Sequence, residues 1–153
     1  MKISVLGAGG WGTTLAILLH YNGHNVTLWE YKKSYARQLL RKRINTSYLP
    51  GIKIPKEILI TSDIEESTND KNLIVLAVPS QFLRGVVNKV DFRQIEDSIL
   101  VSVSKGIENK SLMTMSQMLK DVFPHINENQ IGVISGPSHA EEVSQMVPTA
   151  VVA

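Results

Sequence analysis

Short, unbroken apolar runs alternate with helical patterns along the whole chain. Ile3–Leu6, Val26–Trp29, Ile58–Thr61, Leu73–Val78, Ile99–Val103 and Ile131–Ile134 read as strands, and Thr149–Ala153 as the start of another. Leu73–Val78 is the strongest of them, apolar at every position and stopped by Pro79. Strands that do not alternate apolar with polar residues are covered on both faces, which suits a parallel sheet between helices.

The segments between the strands predict helices. Trp11–Tyr21 is rich in Leu and Ala and stops at Asn22-Gly23. Ser34 is placed to cap a helix with Tyr35, Leu39, Leu40 and Ile44 on one side and cations on the other. Residues 45–56 contain Pro50, Gly51 and Pro55 and predict a loop, and Asp63 opens a short acidic segment. Ser80 caps a predicted helix through Val90. Ser111 caps one carrying Leu112, Met115, Leu119 and Val122, and Ser138–Met146 forms the last. Repeated strand–helix order predicts an α/β fold with a doubly wound, mostly parallel sheet. A length of 153 residues predicts one domain over 1–153.

Composition narrows the function classes. With 43% hydrophobic and 20% charged residues, the chain has the apolar content that disorder lacks. No apolar run is long enough to cross a membrane, and the N-terminal run is too short to read as a signal peptide. The absence of cysteine excludes disulfides and thiolate chemistry, and a cytoplasmic location follows by default. His20, His24, His125 and His139 show no metal-ligand spacing, so no metal is expected. Met113, Met115 and Met118 read as core packing. The net charge of +2 hides an asymmetry. Lys32, Lys33, Arg37, Arg41, Lys42, Arg43, Lys53 and Lys56 crowd one stretch that has no acid, and the remainder is acidic. Such a patch attracts an anion.

The chemical signal lies in Gly7-Ala8-Gly9-Gly10-Trp11-Gly12, which satisfies G-x-G-x-x-G between a predicted strand and a predicted helix. Gly7 permits the tight turn, Gly9 lets backbone approach a pyrophosphate, and Gly12 lets helix pack on strand. The helix start then offers free N–H groups to phosphates. The expectation is a Rossmann-type dinucleotide site. Glu30, eighteen residues after Gly12, is positioned to accept from adenosine ribose hydroxyls, which favours NAD. Lys32 and Lys33 follow at once and suit a 2′-phosphate, which favours NADP. Tyr31 covers the adenine or packs on the sheet edge. Lys105 follows a strand end, the edge where ligands bind in open α/β sheets. A cation there can polarise a ketone oxygen, or be a surface lysine before Gly106. Ser138 caps a helix whose free N–H groups face substrate. His139 has no ordered partner that would make it an acid–base group.

The glycine turn with its Trp11 resembles the opening of glycerol-3-phosphate dehydrogenases. Further segments fit in order: residues 45–51 (NTSYLPG), 77–81 (AVPSQ), 104–108 (SKGIE), 135–143 (SGPSHAEEV) and 148–150 (PTA). The resemblance is to the bacterial soluble NAD(P)-dependent type, with Gly10 standing where those members usually carry serine. It implies hydride transfer between dihydroxyacetone phosphate and sn-glycerol 3-phosphate at the nicotinamide, feeding glycerophospholipid synthesis. By resemblance, Gly10 and Trp11 contact the cofactor phosphates and ribose, and Tyr31 and Lys32 its adenosine end. Lys105 lies between nicotinamide and substrate, Gly136 and Ser138 border the substrate, and Ala140 borders the cofactor. The resemblance further implies a helical C-terminal domain beyond these residues, which brings the proton acceptor, phosphate ligands and a homodimer surface. Residues 1–153 alone are then expected to bind cofactor without turnover. Two other readings stand beside this one. The helix from Lys32 to Arg43 suits a nucleic-acid or acidic-lipid module, although no stacking aromatics interleave its cations. Another carbonyl reductase can share the same nucleotide-binding half, although the 135–143 motif argues against it. Neither nucleic-acid binding nor membrane insertion is expected.

Overall fold

A computed structural model describes all 153 residues, Met1–Ala153. Its elements run β1 (Lys2–Leu6), α1 (Gly10–Tyr21), β2 (Asn25–Trp29), α2 (Lys33–Lys42), β3 (Ile44–Asn45), β4 (Leu49–Lys53), β5 (Leu59–Thr61), α3 (Ile64–Thr68), β6 (Leu73–Leu76), α4 (Ser80–Val87), β7 (Ile99–Ser102), α5 (Met115–Val122), β8 (Ile131–Val133) and α6 (Ala140–Ser144). Six strands form one sheet in the order β5-β2-β1-β6-β7-β8, with every neighbouring pair parallel. The chain builds outward from β1 to β2 and β5, then crosses back to lay β6 on the other side of β1. The order therefore reverses between β1 and β6, the place where ligands bind in such sheets.

Apolar runs become strands here because both faces of the sheet are covered. Ile3 and Val5 of β1 face a core with Ala16 and Ile17 of α1 and Leu39 of α2. Leu6 of the same strand faces the other core, with Leu83 and Val87 of α4 and Met118 and Leu119 of α5. Each of these side chains is essentially inaccessible, and full burial of one such chain stabilises by about 1.5–3 kcal/mol. The α1 stop at Asn22-Gly23 is a Schellman motif: the N–H of Gly23 donates to His20 C=O and that of His24 to Leu19 C=O. Gly23 takes φ +82°, a conformation that suits glycine. No helix is long and apolar enough to cross a membrane.

Four expected serine caps are wrong. The N-cap of α2 is Lys32, because its N–H donates to the Glu30 carboxylate at 2.9 Å and turns the chain two residues before Ser34. Pro79 is the N-cap of α4, with Ser80 already inside the helix. α5 begins only after Thr114, whose side chain and that of Gln117 form a reciprocal capping box. Ser111 instead donates to Glu108. Ser138 is likewise not a cap, since His139 holds that place in α6 and makes no side-chain cap bond. α6 also ends earlier than Met146, and the expected strand at 149–153 is a single antiparallel bridge between Val152 and Ser135. Leu40, assigned to the apolar side of α2, is exposed.

The expected loop at 45–56 contains an antiparallel hairpin, β3 with β4. Its anchor is Asn45, which is fully buried. The Asn45 amide donates to Ala8 C=O at 2.9 Å and to Thr13 Oγ1 at 2.7 Å. Its carbonyl oxygen accepts from Tyr35 Oη at 2.6 Å and from the Tyr48 N–H at 3.2 Å. One side chain thus ties the glycine turn, α1, α2 and the hairpin together. Asn45→Ala removes all four bonds at a buried site, and the expected loss is about 2–4 kcal/mol of stability. Chemical denaturation checks it, and an unchanged midpoint would show that the network carries no stability.

Candidate functional site

A cleft of about 690 Å³ opens over the C-terminal ends of β1, β2 and β6. Gly7 follows β1, Glu30 follows β2, and Ala77, Val78 and Pro79 follow β6, and all of them line it. The floor is the start of α1. Gly9 is its N-cap, no side chain caps it, and no acid stands in its first turn. Its first N–H groups are therefore available to an anionic ligand, with the positive end of the helix dipole behind them.

The glycines divide by what holds them. A Cβ on Gly12 would sit 1.9 Å from Gly7 C=O, and one on Gly7 would sit 2.7 Å from Ala77 C=O. Both are demanded by the fold. A Cβ on Gly10 would sit 2.6 Å from Tyr48 C=O, so the hairpin loop excludes a side chain there as it lies. This accounts for glycine at position 10. Gly9 differs from all three: its φ is −71° and a Cβ there meets nothing within 4 Å. Nothing in the protein requires glycine at position 9, although it lies on the cleft floor.

Glu30 and Tyr31 line the cleft at the β2 end. Burial pushes the Glu30 carboxyl above its ordinary pKa, opposed by the Lys32 N–H and the Lys32 charge. Lys32 lines an adjoining polar groove with Glu30, Ser34, Gln38 and Ser47, so the acid and the cation flank the same corner. Of the eight cations in the basic stretch, Arg43 is tied down, donating to Pro55 C=O and Ile58 C=O at 3.1 and 2.7 Å. Lys32, Lys33, Arg37, Arg41 and Lys42 are exposed around α2.

Lys105, Gly136, Ser138 and Ala140 do not line the main cleft. They gather beside it. Lys105 Nζ stands 3.5 Å from Ser138 C=O. Ala140 C=O accepts from Thr14 Oγ1 at 3.1 Å, and its Cβ would lie 3.5 Å from one on Gly10. The start of α6 is therefore seated on the start of α1. Gly136 has a structural reason of its own, since a Cβ there would meet Ala150 C=O at 2.9 Å. Among the cleft residues given no site role by the sequence reading are Tyr48, Phe82 and Lys89. Phe82 carried a signal, because it is a large apolar residue about a quarter-turn round α4 from the buried Leu83, and it is 67% exposed. Lys89 carried none; its ammonium lies 5.0 Å from the centre of the Tyr31 ring.

Comparison with known proteins agrees with this geometry. Residues 2–153 match the family model described as NAD-dependent glycerol-3-phosphate dehydrogenase N-terminus. The chain belongs to this family. It is 44% identical over 149 residues to the glycerol-3-phosphate dehydrogenase (NAD(P)+) of Fusobacterium nucleatum, covering 97% of this chain and 44% of that protein. It is 45% identical to the enzyme of the same name from Chlorobium phaeobacteroides, over its whole length and 46% of the relative. The crystal structure of glycerol-3-phosphate dehydrogenase from Coxiella burnetii superposes with a TM-score of 0.88 at 30% identity, covering 98% of this chain and 45% of that one. The chain thus spans about half the length of the curated relatives it matches. The Rossmann-type α/β fold expected from strand–helix alternation is the fold observed.

The Glu30 environment makes a pH-dependent prediction. A carboxyl whose folded pKa is raised binds its proton more tightly in the folded chain, so its ionisation costs stability as pH rises past the unfolded value. Glu30→Gln keeps the acceptor for Lys32 N–H and cannot ionise. The expected result is a higher melting temperature than the parent at pH 7, with the gain vanishing below about pH 4, under the ordinary carboxylate pKa. Melting curves across this range check it; a gain independent of pH would assign the effect to something other than ionisation.

Proposed function

We propose that residues 1–153 bind NAD or NADP as the cofactor-binding part of an enzyme that interconverts dihydroxyacetone phosphate and sn-glycerol 3-phosphate. The observation that carries this reading is Gly9: glycine stands at a cleft position where the fold leaves room for a side chain. Such a vacancy, fronted by uncapped helix N–H groups, fits the close backbone approach of a pyrophosphate. Those N–H groups and Trp11 hold the phosphates and adjoining ribose. Glu30 accepts from the adenosine ribose hydroxyls, Tyr31 covers the adenine, and Lys32 flanks the 2′ position.

The bound nicotinamide supplies or accepts the hydride. Lys105 carries the chain's own chemical role. Its ammonium polarises the ketone oxygen and stabilises the negative charge that grows on it. Gly136 and Ser138 border the substrate, and Ala140 borders the cofactor. The seating of α6 on α1 and the 3.5 Å approach of Lys105 to Ser138 support this grouping. This reading puts the proton acceptor outside residues 1–153. The same reading places the enzyme in the cytoplasm, as a homodimer, at the entry to glycerophospholipid synthesis.

Gly9→Val separates binding from folding, because the side chain enters open space in the protein and pyrophosphate space in the complex. The expected result is a fold close to the parent's and NADH affinity reduced at least tenfold, about 1.4 kcal/mol. Fluorescence titration with NADH checks it, and parental affinity in a folded variant would remove the pyrophosphate assignment. For catalysis, the 153-residue chain is expected to bind NADH yet show no NADH oxidation dependent on dihydroxyacetone phosphate. Sustained turnover by this chain would place the proton acceptor within residues 1–153.

A further inference from the structure

Lys105 is exposed, yet the turn that carries it is fastened on both flanks. Before it, Ser104 Oγ donates to Val78 C=O at 2.5 Å and lies 3.1 Å from Leu76 C=O, at the end of β6. After it, two residues of α4 take hold. The Gln81 amide donates to Ile107 C=O at 2.7 Å and accepts from Asn109 N–H at 3.0 Å. Arg84, three residues further along the same helix, meets Glu108 with two guanidinium nitrogens, Nε at 2.8 Å and Nη2 at 2.9 Å. Its Nη1 donates to Asp121 of α5 at 2.5 Å. Glu108 is only 8% exposed and also accepts from Ser111. Paired guanidinium–carboxylate bonds fix orientation as well as distance.

The same helix faces the cleft with another stripe. Phe82, Gly85, Val86 and Lys89, spaced as one helical face continued past the C-terminus of α4, line the cofactor cleft. α4 thus touches the cleft along one side and grips the Lys105 turn along another. We propose that Gln81 and Arg84 are positioning residues for Lys105: through Ile107, Glu108 and Asn109 they register its ammonium against the helix that bounds the cofactor. The inference rests on the reading of Lys105 given above. Its physical content is that a flexible lysine reaches a reacting atom reproducibly only if its backbone is fixed relative to the bound partners.

Lysine labelled with 13C at the ε-carbon provides the test, using the 153-residue chain. The Lys105 signal, assigned with Lys105→Arg, is followed as NADH is added to the parent, Glu108→Gln and Gln81→Ala. Gln81 is exposed and outside both cores, so Gln81→Ala keeps the test open if Glu108→Gln unfolds. The expected result is NADH affinity within about twofold of the parent, with the NADH-induced shift of the Lys105 signal reduced at least about threefold. Variants that melt earlier but keep the parental shift would overturn the inference and leave the clasp purely structural. Loss of NADH affinity in step with the shift would also overturn it, because the clasp would then serve the whole cleft. Failure of the proposed function looks different: the parent itself would not bind NADH, or would bind it without any response at Lys105, and either result removes the inference as well.

Discussion

The approach of α1 to the sheet sets the rest of the structure. At Gly12 the helix lies so near the end of β1 that a Cβ would stand 1.9 Å from Gly7 C=O, and one on Gly7 would stand 2.7 Å from Ala77 C=O. Only hydrogen fits at either position. That contact brings the uncapped start of a helix to the mouth of the sheet, between the ends of β1 and β6. The free N–H groups at the floor of the cleft follow from this tight turn, and the reversal of strand order beside β1 leaves the cleft open above them. The sheet supplies its rigidity, with β1 central and buried on both faces.

Two side-chain devices extend that constraint outward. Asn45 carries it to the hairpin, bonding Ala8 of the glycine turn and Thr13 of α1 on one side and Tyr35 and Tyr48 on the other. A buried amide is costly unless its hydrogen-bonding groups are met, so this loop has little freedom to choose another seat. The position of Tyr48 C=O over Gly10 is a consequence, and with it the glycine at residue 10. The second device is α4, which bounds the cleft and holds the 104–109 turn through Gln81 and Arg84. Arg84 first and the Ser111 hydroxyl second lower the Glu108 pKa from its ordinary value, which favours the ionised form that pairs with the guanidinium.

Charge at the corner past the end of β2 remains divided in the folded molecule, as it was along the chain. Glu30 lines both the cleft and the adjoining groove, and Lys32 lines the groove. Lys89 adds a cation over Tyr31 from a different element. The acid suits ribose hydroxyls and the cations suit a phosphate, which matches the double cofactor name borne by the Fusobacterium and Chlorobium relatives. The basic face of α2 is mostly solvated, and Arg43 has a structural task in holding the segment at Pro55 and Ile58.

The sequence by itself determined the sheet strands, the two-sided burial and the glycine turn. These depend on short-range patterns: continuous apolar runs, Gly and Pro punctuation, and a motif whose residues are adjacent. It also marked Glu30, Tyr31 and Lys105 as lying just past strand ends, on the edge that open α/β sheets offer to ligands. Helix starts were read less well. Ser34, Ser80, Ser111 and Ser138 each have cap chemistry, but the caps lie at Lys32, which donates to Glu30, at Pro79, at Thr114 with Gln117, and at His139. The hairpin at 44–53 was hidden because its anchor is a long-range amide network and its strands are short and broken by Pro50 and Gly51. Tertiary structure alone decided three things: that Gly9 is free of the fold while Gly10 is not, that Lys105 meets Ser138 across 33 positions of sequence, and that one helix serves both cleft and lysine. Each is a distance between residues remote in the chain, and local sequence carries no term for such distances until packing brings the elements together.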